Sequence, residues 1–331
     1  MAEIRLSQDI IEILRCPRCK STLIQFEYQF QCSNQDCSLN FPILNGIPIL
    51  INDENSIFPT KQLLRQSKVS KVIQKVHLRS SKDSSRSGGE DFVKWAPEIG
   101  KNIKAKTKIK KFVSMLLETS SSPKVLVLGG KTSGPGMETI FSEKSIQLIE
   151  TDVFPGLRTG IVCDAHDIPF ENQSLDGVII KAVLEHVVNP YMCVDEIHRV
   201  LNENGLVYAE TAFIQQVHGG RFDFTRFTLL GHRRLFRNFE EIDSGATCGP
   251  GMALAWSYQY FLTSLTKSKS LRKLLFIFSK FTSFFLKYID YLIIDNPGSL
   301  DAASAYYFMG KRSNFTLPDQ ELIKVYRGAQ L

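Results

Sequence analysis

Residues 125–152 restrict this chain more than any other stretch. Val125-Leu126-Val127-Leu128 is an unbroken apolar run that ends on Gly129-Gly130, with Gly134 and Gly136 close behind. A short run of this kind reads as a buried parallel strand. Paired glycines let the backbone turn sharply and approach a ligand closely. A second run, Ile146-Gln147-Leu148-Ile149, ends in acid at Glu150 and Asp152. In a strand–helix–strand unit that acid sits beside the first strand's loop, where it can accept hydrogen bonds from both hydroxyls of a ribose. The loop has neither the G-x-G-x-x-G nor the G-x-x-x-x-G-K-[ST] spacing that seats phosphates. A nucleoside ligand without phosphate therefore suits it, and S-adenosylmethionine is one.

The alternation continues. Gly160-Ile161-Val162-Cys163 reads as a third strand that ends in Asp164-Ala165-His166-Asp167-Ile168-Pro169-Phe170. Ser174-Leu175-Asp176-Gly177-Val178-Ile179-Ile180 reads as a fourth, followed by Lys181-Ala182-Val183-Leu184-Glu185-His186-Val187. Asn189-Pro190 caps a helix whose apolar face is Val194, Ile197, Val200 and Leu201. Asn204-Gly205 is expected to end it before a fifth strand at residues 206–211. Strand alternating with helix predicts an α/β, doubly wound sheet.

These motifs together resemble the type 11 group of class I S-adenosylmethionine-dependent methyltransferases. The match rests on Asp164-Ala165-His166-Asp167-Ile168-Pro169-Phe170, Asp176-Gly177-Val178 and Leu184-Glu185-His186-Val187. The resemblance implies a Rossmann-like sheet of seven strands, with the last strand antiparallel. It implies that Gly129, Gly130 and Gly134 line the methionine part of the cofactor. Asp152 would hold the ribose, with Glu150 as the alternative, and Asp164 and Ala165 would touch the adenine. The loop from Lys181 would close over the sulfonium. The family usually has an acid two residues before the first glycine, and this chain has Val127-Leu128 there.

Transfer from an activated sulfonium needs placement above all. A hydroxyl acceptor also needs a base. His186 follows the fourth strand, at the end where ligands gather in such sheets. His218 and Asp223 lie in a loop rich in arginine and aromatics after the fifth strand. These three are the candidates on the acceptor side, although a lone histidine is more often a structural one.

At the N-terminus, Cys16-Pro17-Arg18-Cys19 and Cys32-Ser33-Asn34-Gln35-Asp36-Cys37 form two close pairs with strand-like residues between them. Four thiolates from two tight turns complete a tetrahedron around Zn²⁺ and leave no position open, so the metal is expected to be structural. A segment this small draws much of its folding energy from the metal. Asn45-Gly46 between apolar runs is a hairpin turn. The block up to Ile51 resembles the small zinc-ribbon family that includes the activator subunit of several methyltransferases. That resemblance implies a scaffold or interaction module.

The expected organisation is a ribbon over 1–60, a basic linker over 61–107, a catalytic domain over 108–312 with a helical insertion at 252–299, and a loosely held tail over 313–331. Residues 61–111 hold fifteen Lys/Arg and four Asp/Glu, a net of +11, against +6 for the whole chain. Such a run attracts nucleic acid or anionic membrane, although a plain solvated linker is favoured. In the insertion, Leu274, Leu275, Phe278, Phe281, Phe285 and Tyr288 recur at helical spacing beside lysines. The favoured expectation is a lid whose aromatic face is core, and a membrane-interface helix is the alternative. No run reaches the roughly 18 apolar residues of a membrane span, and no signal segment opens the chain. The expected location is cytoplasmic, with peripheral membrane contact left open.

The function expected is S-adenosylmethionine-dependent O-methylation of a small-molecule, glycan or lipid-linked acceptor. Two alternatives stay open: an RNA base methyltransferase, and a non-catalytic interaction protein.

Overall fold

The computed structural model describes residues 4–61, 63–64, 96–130 and 134–329. Most of the expected linker, and Lys131, Thr132 and Ser133 of the glycine loop, lie outside the described residues. The N-terminal segment forms a short helix, α1 (Gln8–Glu12), and four antiparallel-paired strands: β1 (Leu23–Gln25), β2 (Gln29–Cys32), β3 (Asn40–Leu44) and β4 (Ile47–Leu50). Asn45 and Gly46 both take positive φ, 54° and 78°, and place Leu44 opposite Ile47. That is the two-residue hairpin an Asn-Gly pair favours.

Helix α2 (Ala105–Thr119) leads into β5 (Lys124–Leu128). Then come α3 (Met137–Ser142), β6 (Gln147–Asp152), β7 (Ile161–Cys163), β8 (Leu175–Lys181), α4 (Pro190–Val200) and β9 (Leu201–Ala212). Asn189 caps α4 by accepting from the Met192 amide at 3.2 Å, with Pro190 in the first turn. A cap of this kind stabilises a helix by about 1 kcal/mol. The helix stops at Val200 rather than at Asn204-Gly205, and β9 begins at once, with a bulge in its pairing to β8 between Leu175 and Gly177.

Beyond these lie α5 (Leu229–Leu235), β10 (Phe239–Cys248), α6 (Pro250–Ser264), α7 (Lys269–Ser283), α8 (Leu286–Ile293), α9 (Pro297–Ala302) and β11 (Ala305–Arg312). The four helices α6–α9 stand between β10 and β11, which pair antiparallel with each other.

Alternating side chains of β5 split the core into two layers, as period-two geometry requires. Leu126 and Leu128 face one cluster with Val194 and Ile197 of α4. Val125 and Val127 face the other with Ile109, Phe112 and Leu116 of α2. The sheet is therefore covered on both faces, in keeping with the doubly wound expectation.

The strand count differs from the expected seven. The strand order is β1-β2-β3-β4-β7-β6-β5-β8-β9-β11-β10, eleven strands in all. The reason is that β4 pairs in parallel with β7, Ile49 opposite Val162 and Leu50 opposite Cys163. The ribbon thus covers a sheet edge that would otherwise present unpaired amides. Its Leu14, Phe30 and Phe41 join the same apolar cluster as Leu126 and Ile197.

Two local expectations change. The tail is tied down, with Asp319 paired to Arg234 at 3.0 Å and Leu322 buried. The aromatic stripe of the α6–α9 segment is not core: Leu274, Phe278, Phe285 and Tyr288 are all at least half exposed. Buried positions on α7 and α8 are instead Ser279, Ser283, Lys287 and Asp290.

Candidate active site

Two cavities open at the C-terminal ends of β5, β6 and β8, where a doubly wound sheet gathers its ligands. They share Leu128, Gly129 and Ala182 as a common wall. The first, about 290 Å³, is lined by Asp152, Asp164, Ala165, His166 and the rings of Phe58, Phe154 and Phe222. The second, about 240 Å³, is lined by Gly134, Lys181, Glu185, Glu210, Thr211 and Met252, among others.

Gly129 takes φ +75°, and a Cβ there would lie 2.4 Å from Val183 Cγ2. Both facts require glycine at the turn. The Gly130 amide donates to Thr151 O at 2.8 Å, which locks the glycine loop to β6. Ala182, on the wall between the cavities, also takes a positive φ of 52°. Non-glycine residues held in that region cluster at ligand sites.

Asp152 and Glu150 part ways. Asp152 faces the first cavity and accepts from the Phe154 amide at 3.0 Å. Glu150 does not line that cavity; its carboxylate lies against Gly130 and is held by Arg158 Nε at 2.8 and 2.9 Å. Asp164 accepts from Ser56 Oγ at 2.5 Å and lies 2.6 Å from His166 Nδ1. Burial opposes its charge, but these hydrogen bonds prevail and hold its carboxyl below the usual range. Lys181 donates to Pro135 O at 2.6 Å, which ties the end of β8 to the glycine loop. It also lies 3.5 Å from Glu210 Oε1.

Two buried carboxylates in the second cavity were not among the expected site residues. Glu210 accepts from Tyr208 at 2.6 Å and from Asn102 at 2.9 Å. Burial raises its pKa in spite of them. Glu185 is 1% exposed, and its Oε2 has no hydrogen-bond partner among the described residues. Burial raises its pKa as well. Glu185 lay in plain sight inside the Leu184-Glu185-His186-Val187 motif, and Glu210 ends an apolar run as Asp152 does. Ser56, Ile57 and Phe58 offered no local signal, because their partners lie about a hundred residues away.

The histidines converge on Glu185. His218 Nε2 lies 3.9 Å from Glu185 Oε1, and the His186 and His218 rings meet edge to face at 4.8 Å. His186 Nδ1 lies 2.9 Å from Phe222 O, which makes it the donor and leaves Nε2 unprotonated in the neutral ring. Burial lowers the His218 pKa below its ordinary value. Ligand atoms of Glu185, His186 and His218 all lie within 4.8 Å of one another, close enough to share a cation.

Asp223 does not join this group as a free acceptor. Its oxygens are taken by Arg226, by the His218 amide at 2.8 Å and by the Gly219 amide at 3.1 Å. Arg226 holds its carboxyl far below the usual carboxylate range. A base needs a pKa near the working pH, so Asp223 shapes the loop instead.

A third, wider cleft of about 910 Å³ starts at His218 and runs between α6 and α7. Trp256, Tyr260 and Phe276 supply its rings, and Lys269, Arg272, Lys273 and Lys280 its charge.

In the ribbon, Cys16 Sγ lies 3.8 Å from Cys37 Sγ, and Cys19 Sγ lies 3.3 Å from Cys32 Sγ. Zn–S bonds of about 2.3 Å in a tetrahedron put sulfurs roughly 3.8 Å apart. The four thiols therefore fit structural zinc.

Residues 140–209 match the type 11 family described as a methyltransferase domain. A UPF0434 protein of Methylobacillus flagellatus is 34% identical over 53 residues, 16% of this chain and 88% of that protein. Among solved structures, a protein described as a sarcosine dimethylglycine methyltransferase from Galdieria sulphuraria is 14% identical. The alignment covers 64% of this chain and 86% of that one, with a TM-score of 0.43. Phosphoethanolamine N-methyltransferase 2 of Haemonchus contortus is 17% identical over 64% of this chain and 54% of its own, with a TM-score of 0.40. Geranyl diphosphate C-methyltransferase of Streptomyces coelicolor is 12% identical over 62% and 77%, with a TM-score of 0.38.

Proposed function

The chain is a class I S-adenosylmethionine-dependent methyltransferase of the type 11 group, joined to a four-cysteine zinc ribbon that belongs with the UPF0434 proteins, and from that premise we propose that it methylates a hydroxyl of a small-molecule, glycan or lipid-linked acceptor. The observation that carries the reading is the junction at Gly129 and Ala182. On one side lie Asp152 and an aromatic wall, and on the other the buried Glu185 carboxylate, whose Oε2 has no hydrogen-bond partner among the described residues, beside His218.

The lining fits the cofactor. Asp152 offers a carboxylate to the ribose hydroxyls, and the Phe58, Phe154 and Phe222 rings with Ala165 offer an adenine slot. Gly129, Gly130 and Gly134 keep the loop close enough to receive the methionine end. Glu210 and Glu185 supply acidic side chains in that cavity, where Val127-Leu128 supplies none. When bound, S-adenosylmethionine supplies a methyl group already activated on its sulfonium.

The protein's remaining task is to place and deprotonate the acceptor. The wide cleft leads an acceptor to His218. Burial keeps that imidazole neutral near neutral pH, so it can take the hydroxyl proton. Glu185 stands 3.9 Å away and stabilises the imidazolium that results. His186 braces the His218 ring. Asp223 and Arg226 hold the loop that carries it.

The test is incubation of the zinc-loaded protein with methyl-labelled S-adenosylmethionine and hydroxyl acceptors of the three classes. Label should appear as a base-stable ether. His218→Gln should lower turnover by about 10² to 10⁴, the usual range for a lost base, with cofactor affinity within twofold. Label that enters only RNA, or turnover indifferent to His218→Gln, would contradict the reading.

A further inference from the structure

Helices α7 and α8 are built with their polarity reversed, and α6 beside them buries Gln259 along with Met252, Ala253 and Ala255. In a surface helix of a water-soluble protein the apolar stripe faces the core and the polar side faces water. Here the inward positions of α7 are Ser279 and Ser283, and those of α8 are Lys287 and Asp290. These inward groups are satisfied. Gln259 of α6 donates to Ser279 Oγ at 3.2 Å, and Ser283 donates to Ser279 O at 2.6 Å. Asp290 accepts from the Gly251 and Met252 amides at 2.7 and 3.0 Å and so caps α6. Lys287 donates to Glu98 O.

The outward positions are apolar. Leu271, Leu274, Phe278 and Phe285 recur along one side of α7 and just past its end, 44% to 62% exposed. Helix α6 exposes Leu254 and Phe261, and Leu265 just past its end is 62% exposed. Helix α8 exposes Ile289 and Leu292, the latter 82%. Scattered exposed leucines need no explanation, but two consecutive helices that turn their apolar stripes to solvent while burying polar groups, beside a third that exposes leucine and phenylalanine, do.

The charge pattern selects the occupant. From residue 244 to 289 the chain has six Lys/Arg and no Asp/Glu. Lys269, Arg272, Lys273 and Lys280 line the polar side of α7. A second copy of the same surface would bring like charges together. An anionic bilayer would complement both the charge and the apolar stripe. Leucine and phenylalanine on one side with lysine and arginine on the other is the pattern of helices that lie in a membrane interface. Among the described residues no helix is long and apolar enough to cross a membrane.

We propose that α6, α7 and α8 dock the protein on the surface of a bilayer containing anionic lipid. Leu274, Phe278 and Leu292 enter the acyl boundary and the basic side of α7 engages headgroups. The cleft that leads to His218 is walled by α6 and α7, so docking places the opening of this cleft on helices seated at the lipid surface. The inference does not depend on the acceptor or on methyl transfer.

The experiment is sedimentation of the full zinc-loaded chain with vesicles of phosphatidylcholine alone or with roughly 30% phosphatidylglycerol, whose negative surface potential attracts basic segments. The wild type should partition at least tenfold more strongly to the anionic vesicles, and less so as salt rises. Leu274→Ser with Phe278→Ser and Leu292→Ser should lose at least tenfold of that partitioning while S-adenosylhomocysteine affinity is kept, which shows the variant folded. Equal partitioning of this variant and the wild type, or no vesicle binding by the wild type, would overturn the proposal. So would a concentration-dependent dimer abolished by the same substitutions, because a second copy would then be the occupant.

Discussion

Ser56 Oγ donates to Asp164 Oδ2 at 2.5 Å, across 108 residues of chain. Ser56 lies six residues past the last strand of the ribbon, and Asp164 lines the cavity assigned to the adenosine. The ribbon is thereby wired into the proposed cofactor site. Asn52 and Asn55 repeat the link one turn away, both donating to Asp167 Oδ2, at 3.0 and 2.9 Å.

Removing the Ser56 hydroxyl tests that link. A hydrogen bond to a charged group contributes roughly 1.5–3 kcal/mol, and part of that should appear in ligand affinity. Ser56→Ala is expected to weaken S-adenosylhomocysteine three- to tenfold in calorimetry, with zinc content unchanged. Unaltered affinity would show that the Asp164 carboxylate is positioned by His166 alone.

Zinc removal should act on the same cavity from a distance. Structural zinc supplies about 10–16 kcal/mol of folding energy in small ribbons, more than a strand pair of two registered residues can replace. Stripping the metal, or Cys19→Ser, should free β4 from β7 and release Ile57 and Phe58 from the cavity wall. The expected readouts are faster amide exchange at Val162 and Cys163 and at least tenfold weaker S-adenosylhomocysteine binding. Affinity that survives full zinc loss would limit the ribbon to a separate role.

His232 predicts a loss of stability in acid. It is 2% exposed, packs among Phe227, Phe236 and Phe308, and its Nε2 has no partner among the described residues. Burial pushes its pKa down to about 3. Between the ordinary value near 6.5 and that value, the unfolded chain binds a proton and the folded chain does not. Stability therefore falls as pH drops through this window, by about 1.4 kcal/mol for each unit. His232→Phe should flatten the dependence measured by denaturant titration between about pH 6 and pH 4.

Activity should fall in acid for a different reason. His218 must be neutral to accept a proton, and burial lowers its pKa. The acid limb of kcat/KM should have its midpoint below about 6.5, the ordinary histidine value, and His218→Gln should remove the limb. Glu185→Gln should keep the fold, because the Glu185 Oε2 atom has no hydrogen-bond partner among the described residues to lose. It should lower kcat by removing the charge that stabilises the imidazolium. A limb that persists in His218→Gln would assign the base elsewhere.

Much of this was legible because it is local. The glycine turn, the two cysteine pairs, the Asn45-Gly46 hairpin and the strand–helix alternation are each encoded within a few neighbouring residues. The separation of Asp152 from Glu150 was not, because it depends on Arg158 claiming one of two acids on the same strand. The eleven-stranded sheet was not, because the pairing of Ile49 with Val162 joins edges that share no sequence signal. The aromatic stripe of α7 shows the limit of periodicity. Spacing marks one side of a helix as apolar, and only packing decides which side is inward. Here Ser279 and Ser283 took that place.

The account rests most on Asp152 as the ribose ligand. Calorimetric titration of the zinc-loaded chain with S-adenosylhomocysteine measures it directly. One site per chain is expected, with Asp152→Ala weakening it tenfold or more and Glu150→Gln changing it less than twofold. No binding by the wild type, or a Glu150→Gln variant as impaired as Asp152→Ala, would contradict the assignment.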